Sequence, residues 1–290
     1  MVQQIISIKE YFLPKSAAEA SRLLKKGEKR YYPIAGGTSF AFGKPSGIEG
    51  LVDLSRIGLH YVKFQEDGIH IGAGTPIRDL VKFRLFSEYM GGIVSEAALA
   101  IATTPLRNLI TAGGNVMKIF PWSNLPPLFL ALDAVFKTTG SARRSIKAEQ
   151  FFSVQPRRQL APGEILKEIV IPAPQKGRAG AYMKFSKTET DFGLLNAAAV
   201  IKVEKGICSQ ARIALGAFSP MPLLLTRAEE ILKNKPATKE NMEQAAQALC
   251  ETIEPSNDFR VGEGYKKEIA PVLVTRCLCL AMERAKASGR

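Results

Sequence analysis

Short apolar runs bounded by turn residues alternate with longer amphipathic stretches along this chain, and the changes between them mark its elements. Ser16 followed by Glu19 predicts a capping box opening a helix to about Lys26, where Gly27 ends it. Tyr31–Ala35, Leu51–Leu54 and Ile69–Ala73 read as short strands. Thr75 with Pro76 predicts an N-cap and first helical position, leading a helix to about Tyr89, and Val94–Ala102 predicts a second. Thr103 to Pro127 is rich in Gly, Asn and Pro and reads as a loop before a short helix, Leu128–Asp133.

Ala134–Thr138 and Arg144–Ile146 flank Gly140 as a hairpin would, and Glu168–Ile171 reads as a further strand. Pro172 to Gly180 carries the clearest linker signal. Beyond it, Ala197–Val203 and Gln210–Ala217 read as paired strands, and Thr226–Leu232, Lys239–Thr252 and Gly264–Ala287 as helices. The expected fold class is α+β, with a larger first domain and a second domain of antiparallel sheet and helices. A chain of 290 residues is long enough for both to have their own core. The apolar runs around Leu125–Phe136 and Leu194–Ile201 are too short to cross a bilayer, and Met1–Lys9 lacks the pattern of a signal peptide. A cytoplasmic protein with no membrane span is expected.

Charge changes this picture only in one respect. Forty Lys and Arg against 27 Asp and Glu give a formal charge of +13. The basic residues come in pairs such as Arg143-Arg144 and Arg157-Arg158, without a basic helix interleaved with aromatics, so a solvated surface or a subunit interface is favoured over nucleic acid. The cysteines, Cys208, Cys250, Cys277 and Cys279, fit neither a zinc site nor a redox pair. Cys277 and Cys279 read as small hydrophobes in a reducing compartment. His60 and His70 lack ligand spacing, which argues against a histidine metal site or a Ser-His-Asp hydrolase.

Candidate chemistry lies in the glycines. Gly72-Ala73-Gly74-Thr75-Pro76-Ile77 begins like a dinucleotide fingerprint, but Ile77 holds the third glycine position. Gly43-Lys44 ends like a P-loop, yet Thr38 and Pro45 break that pattern. Two clusters survive, Ala35-Gly36-Gly37-Thr38-Ser39 after a strand and Thr111-Ala112-Gly113-Gly114-Asn115. Glycine pairs let backbone amides approach an anion, and the hydroxyls of Thr38, Ser39 and Thr111 add donors. Together they predict a clamp on a diphosphate.

These two clusters, in this order, resemble the flavoprotein subunit of the xanthine dehydrogenase and carbon monoxide dehydrogenase family. The similarity continues through Leu51-Val52-Asp53-Leu54-Ser55-Arg56-Ile57, Leu106-Arg107-Asn108, Leu125-Pro126-Pro127, Ala131-Leu132-Asp133-Ala134, and Pro162-Gly163-Glu164-Ile165-Leu166. In the second half it takes in Ala181-Tyr182-Met183-Lys184, Arg212-Ile213-Ala214-Leu215-Gly216 and Tyr265-Lys266-Lys267. The resemblance implies a vanillyl-alcohol-oxidase-type FAD-binding domain of two α+β lobes over residues 1–176, and a C-terminal domain over 177–290. It implies FAD contacts at Ile34, Ala35, Gly36, Gly37, Thr38 and Ser39, and at Thr111, Gly113, Gly114 and Asn115. Ser123, Asn124, Leu166 and Lys184 fall where the family contacts the rest of FAD, Lys184 as a cation for the reduced flavin.

The resemblance also implies partners. These are a small subunit with [2Fe–2S] clusters, a large subunit with the molybdenum cofactor, and NAD, a quinone or another final acceptor. No residue of this chain is then expected to be catalytic, and no metal is expected in it, since every cysteine follows residue 200. The rivals are a stand-alone flavin oxidoreductase and a flavin-free interaction subunit. The last draws on a departure from the family pattern, Met117-Lys118-Ile119-Phe120-Pro121-Trp122-Ser123-Asn124, where small residues and an Asp are usual. Thr104-Pro105 and Thr188 depart as well.

Overall fold

The structure is a computed structural model that describes residues 8–25, 30–40, 43, 47–249, 253–258 and 260–289. Gly27 as a helix stop, Lys44 and Pro45 of the rejected P-loop, Cys250 and the end of the helix expected to reach Thr252 lie outside them. In the first helix, α1 (Ala17–Lys25), Ser16 Oγ accepts from the Glu19 amide at 3.2 Å, while the Glu19 carboxylate accepts from the Lys15 amide at 2.8 Å. The capping box is therefore present, displaced by one amide.

Three sheets follow. A parallel sheet has the order β1 (Glu10–Phe12), β3 (Gly50–Asp53), β2 (Tyr31–Ile34). An antiparallel sheet has the order β4 (Val62–Gln65), β5 (Gly68–Gly72), β8 (Glu164–Ile171), β6 (Val135–Gly140), β7 (Ser145–Lys147). The third, also antiparallel, runs from β9 (Arg178–Phe185) through β10 (Leu195–Glu204) and β11 (Ile207–Gly216) to β12 (Leu223–Leu224).

That third sheet is buried on both faces, and the two-residue period of its strands sorts the side chains. Ala197, Ala199, Ile201, Ile213 and Leu215 join a core with Leu232, Met242 and the long helix Glu263–Ser288. Tyr182, Ala198, Val200 and Ala214 on the opposite face join the core of the first domain instead. Consecutive alanines leave room for a helix on one side and for α4 (Ile93–Leu99) and α7 (Leu125–Ala131) on the other. The two domains thus share a packed layer, tied further by Arg284 of the long helix on Glu96 of α4.

Three expectations are corrected. Arg178, Ala179 and Gly180 belong to β9 and not to the linker. A Cβ on Gly180 would lie 2.7 Å from Ile93 Cδ1, so this glycine serves the close approach of strand to helix. Thr75 caps no helix. It is fully buried, its Oγ1 donates to Tyr61 O at 2.8 Å, and the helix starts after Pro76, at Ile77, and breaks at the extended Phe83 before a second short helix, Arg84–Glu88, completes the stretch expected to reach Tyr89. The stretch from Thr103 to Pro127 holds two six-residue helices, α5 (Thr104–Leu109) and α6 (Ala112–Met117), before α7 begins at Leu125.

Candidate functional site

A cavity of about 950 Å³ opens where the two sheets of the first domain meet the loop between β9 and β10. Thirteen residues foreseen from the sequence line it: Ile34, Ala35, Gly36, Gly37, Thr38, Ser39, Thr111, Gly113, Gly114, Asn115, Ser123, Asn124 and Leu166. They come from four separate stretches of chain. Folding brings them around one cavity.

The first glycine cluster follows β2 directly. Gly37 has φ of +70°, which reverses the chain before a single turn at Thr38–Phe40. Phe40 N donates to Gly37 O at 3.0 Å. Among the described residues, the amides of Gly36, Gly37, Thr38 and Ser39 have no hydrogen-bond acceptor. Four neutral donors without a partner among the described residues thus belong to a turn that lines the cavity, an arrangement suited to receiving an anion.

The second cluster is built differently from what its sequence suggests. Gly113 and Gly114 lie inside α6, and Thr111 is its N-cap, with Oγ1 accepting from the Gly114 amide at 3.0 Å. The Ala112 and Gly113 amides donate to Thr75 O and Ala73 O, each at 2.8 Å. The amides of Ala112, Gly113 and Gly114 are therefore occupied. A Cβ on Gly113 would stand 2.7 Å from Ala73, so glycine is required there for packing. The Gly72-to-Ile77 stretch, which began like a fingerprint, is the buttress against which this segment rests.

Ser123 and Asn124 are buried and partnered within the protein. Ser123 Oγ accepts from Phe120 N at 3.0 Å, and Asn124 Nδ2 donates to Ala100 O at 3.3 Å. Lys184 is not among the lining residues. Its Nζ donates to Ala100 O, Glu189 O and Asp191 O at 2.9, 2.6 and 3.0 Å, filling its three donor positions. Burial lowers its pKa. Lys184 thereby fastens the β9–β10 loop to the wall at Ala100, and that loop contributes Asp191 and Phe192 to the cavity.

Several lining residues were not foreseen as contacts. Phe120 stacks on Trp122 at 5.2 Å between ring centroids, and Trp122 meets Phe192 at 4.8 Å. Arg260 lies 4.9 Å over Trp122 from the outer side. Lys118 Nζ reaches Ser39 O and Gly43 O at 2.8 and 3.0 Å, so the departure at Met117–Asn124 supplies a strut for the first glycine turn and an aromatic wall. Arg157 lines the cavity over the ring of Tyr32, at 4.5 Å. Spacing gave no signal for Arg157, because the turn that carries it meets the glycine segments only through the tertiary fold.

Two of the lining titratable side chains, Glu164 and His60, are engaged within the protein. Glu164 accepts from Arg144 and Thr138; burial works to raise its pKa, but these bonds and one from the Ala161 amide lower it overall. His60 Nε2 lies 2.6 Å from Asp79. The buried thiols are quiet too: burial pushes Cys208 up to about 11 and Cys277 higher still.

Comparison with known proteins gives the family. Residues 6–174 match the FAD binding domain in molybdopterin dehydrogenase, and residues 180–281 match the CO dehydrogenase flavoprotein C-terminal domain. The carbon monoxide dehydrogenase medium chain of Afipia carboxidovorans is 32% identical, with 97% of this chain and 98% of that one covered. The nicotinate dehydrogenase FAD-subunit of Eubacterium barkeri is 28% identical over 89% of this chain and 91% of its own. In structure, carbon monoxide dehydrogenase from Hydrogenophaga pseudoflava superposes with a TM-score of 0.89 at 32% identity, covering 97% of this chain and 99% of that chain. This chain is an oxidoreductase subunit that belongs to the family of FAD-binding medium subunits of molybdenum-hydroxylase-type dehydrogenases.

Proposed function

We propose that this chain holds FAD in the cavity described above, and relays electrons from a [2Fe–2S] small subunit to an external acceptor such as NAD or a quinone. A large subunit carrying the molybdenum cofactor is the source of those electrons. The observation that carries the reading is the row of unfilled amides at Gly36–Ser39 on the wall of an otherwise largely apolar cavity. The donor set fits a dinucleotide, with amides for the phosphates and aromatic and aliphatic walls for the rings. FAD, when bound, supplies the redox chemistry.

This chain's residues bind, orient and exclude water. Ile34, Ala35, Gly36, Gly37, Thr38 and Ser39 form the phosphate wall. Gly113, Gly114, Thr111 and Asn115 let the opposing segment come close. Ser123, Asn124 and Leu166 shape the remaining wall, and Lys184 acts by holding the β9–β10 loop. The flavin-binding unit is taken as residues 1–176 and the C-terminal unit as 177–290, a division supported by the separate second core. A reducing, cytoplasmic setting is part of the same reading. Partner subunits are favoured over stand-alone turnover because the lining His60 and Glu164 are already paired.

Two measurements test this. Trp122 is the single tryptophan of the chain and lines the cavity, so FAD added back to the flavin-stripped chain is expected to quench most of the intrinsic emission. Unchanged emission across an FAD titration would remove the cofactor from this cavity. Affinity purification from the native host, at low and then high salt, is expected to bring down an iron–sulfur chain and molybdenum. A chain eluting alone at both, yet oxidising a substrate, would make it a stand-alone flavoenzyme.

A further inference from the structure

We infer that Arg157 supplies the counter-charge for the diphosphate of the bound flavin nucleotide, an inference that rests on the cofactor reading above. Three basic side chains line the cavity: His60, Lys118 and Arg157. His60 is bonded to Asp79, and Lys118 to two carbonyls. Among the described residues, only Arg157 of these three has neither a carboxylate nor a carbonyl on its guanidinium. It is exposed, and the space it faces is the cavity.

Its placement is what ties it to the phosphate wall. Arg157 sits on the turn Pro156–Arg158, which packs against α6, the carrier of Gly113 and Gly114. Its guanidinium lies over Tyr32, and the Tyr32 ring packs on Phe40 at 5.9 Å. Tyr32 and Phe40 stand on either side of the Gly36–Ser39 amides in the chain. A guanidinium without a protein partner and four amides without one, among the described residues, therefore line the same cavity, linked through Tyr32 and Phe40.

Chemistry makes the pairing specific. Backbone amides are neutral, and an anion removed from water is held much better when one donor carries a charge. A guanidinium held over a ring by its carbon keeps N–H groups available and loses less freedom on binding than an unsupported one. Lys118 cannot take this part without releasing Ser39 O and Gly43 O.

The test uses the full chain, FAD affinity read from Trp122 emission, and low and high salt. Arg157→Gln is expected to weaken FAD binding about 10- to 100-fold, the range of a charge-assisted hydrogen bond. The wild type should lose affinity with added salt more steeply than this variant, since salt screens the missing charge. Arg157→Lys should recover most of the loss. Equal FAD affinity of Arg157→Gln and wild type at both salts would overturn the inference while leaving the cofactor reading standing. So would a loss that Lys does not recover and that leaves the salt dependence unchanged, because shape and not charge would then be at work. A wild-type chain that does not take up FAD at all sinks the cofactor reading itself, and this inference with it.

Discussion

Gly36→Ala is expected to yield a chain purified without visible flavin absorbance, the largest loss of cofactor from any single methyl group in this protein. The reason is local and geometric. A Cβ on Gly36 would stand 1.6 Å from Leu109 O and 2.6 Å from Leu109 C, both backbone atoms at the end of α5. No rotamer relieves such a contact, so the glycine turn and the end of α5 must separate. Gly36 and Leu109 both line the cavity, and the separation therefore spreads its wall. Overpacking of this kind costs about 1–3 kcal/mol, equivalent to a loss of roughly 100-fold in affinity at its upper end.

Two companions isolate the cause. Gly37→Ala meets only Ile34 Cδ1 at 3.4 Å but forces φ of +70° on an alanine, so its loss should be smaller and dominated by backbone strain. Gly58→Ala carries the same kind of strain at φ of +77° with nothing within 4 Å, and should keep its flavin. Melting curves of all three separate unfolding from loss of the site. Flavin at wild-type stoichiometry in Gly36→Ala would refute the geometric account.

The first glycine turn was legible because its cause is local: a strand, a reversal that needs positive φ, and donors left over. The second cluster looked the same in sequence and is physically different. Its amides are spent on Thr111, Ala73 and Thr75, and only the tertiary fold could say so. The same limit hid α5 and α6, whose six residues each are too few for helical periodicity to register. β4 was missed because it is only four residues long and mostly exposed, so that the alternation of Val62 and Phe64 with Lys63 and Gln65 is too short to stand out. In contrast, Thr226–Leu232 and the helix to Ser288 stood out, each with apolar residues recurring along a buried face. Lys184 illustrates the remaining gap, since a lysine satisfied by three carbonyls and a lysine aimed at a ligand are identical in sequence.

Asp258→Ala is expected to destabilise the chain by about 3–5 kcal/mol, the range for removing one partner from a buried ion pair. Asp258 is 9% exposed, and its carboxylate accepts both guanidinium bonds from Arg260. Lys266, 1% exposed in the long helix, stands 3.6 Å away and donates to Ala217 O at 2.8 Å. Burial pushes the Lys266 pKa down, and the Asp258 charge works against that. Without Asp258, Arg260 and Lys266 lose the one carboxylate that pairs with both among the described residues. Lys266→Met, which removes the buried charge along with its need for a partner, should cost less, and the double variant less than the sum of the two. The pH dependence has a fixed sign. Hydrogen bonds from Arg260 outweigh burial and bring Asp258 from 3.8 to about 2 in the folded chain. A carboxylate depressed by folding contributes stability above its unfolded value, and that contribution fades as pH falls from 3.8 toward 2. Urea midpoints of wild type and Asp258→Asn should therefore converge on acidification and stay apart at pH values above about 5. The effect reaches the cavity as well, because Arg260 rests on Trp122, and its release should shift Trp122 emission before any flavin is added. A gap that stays constant through the acid range would show that Asp258 contributes by shape alone.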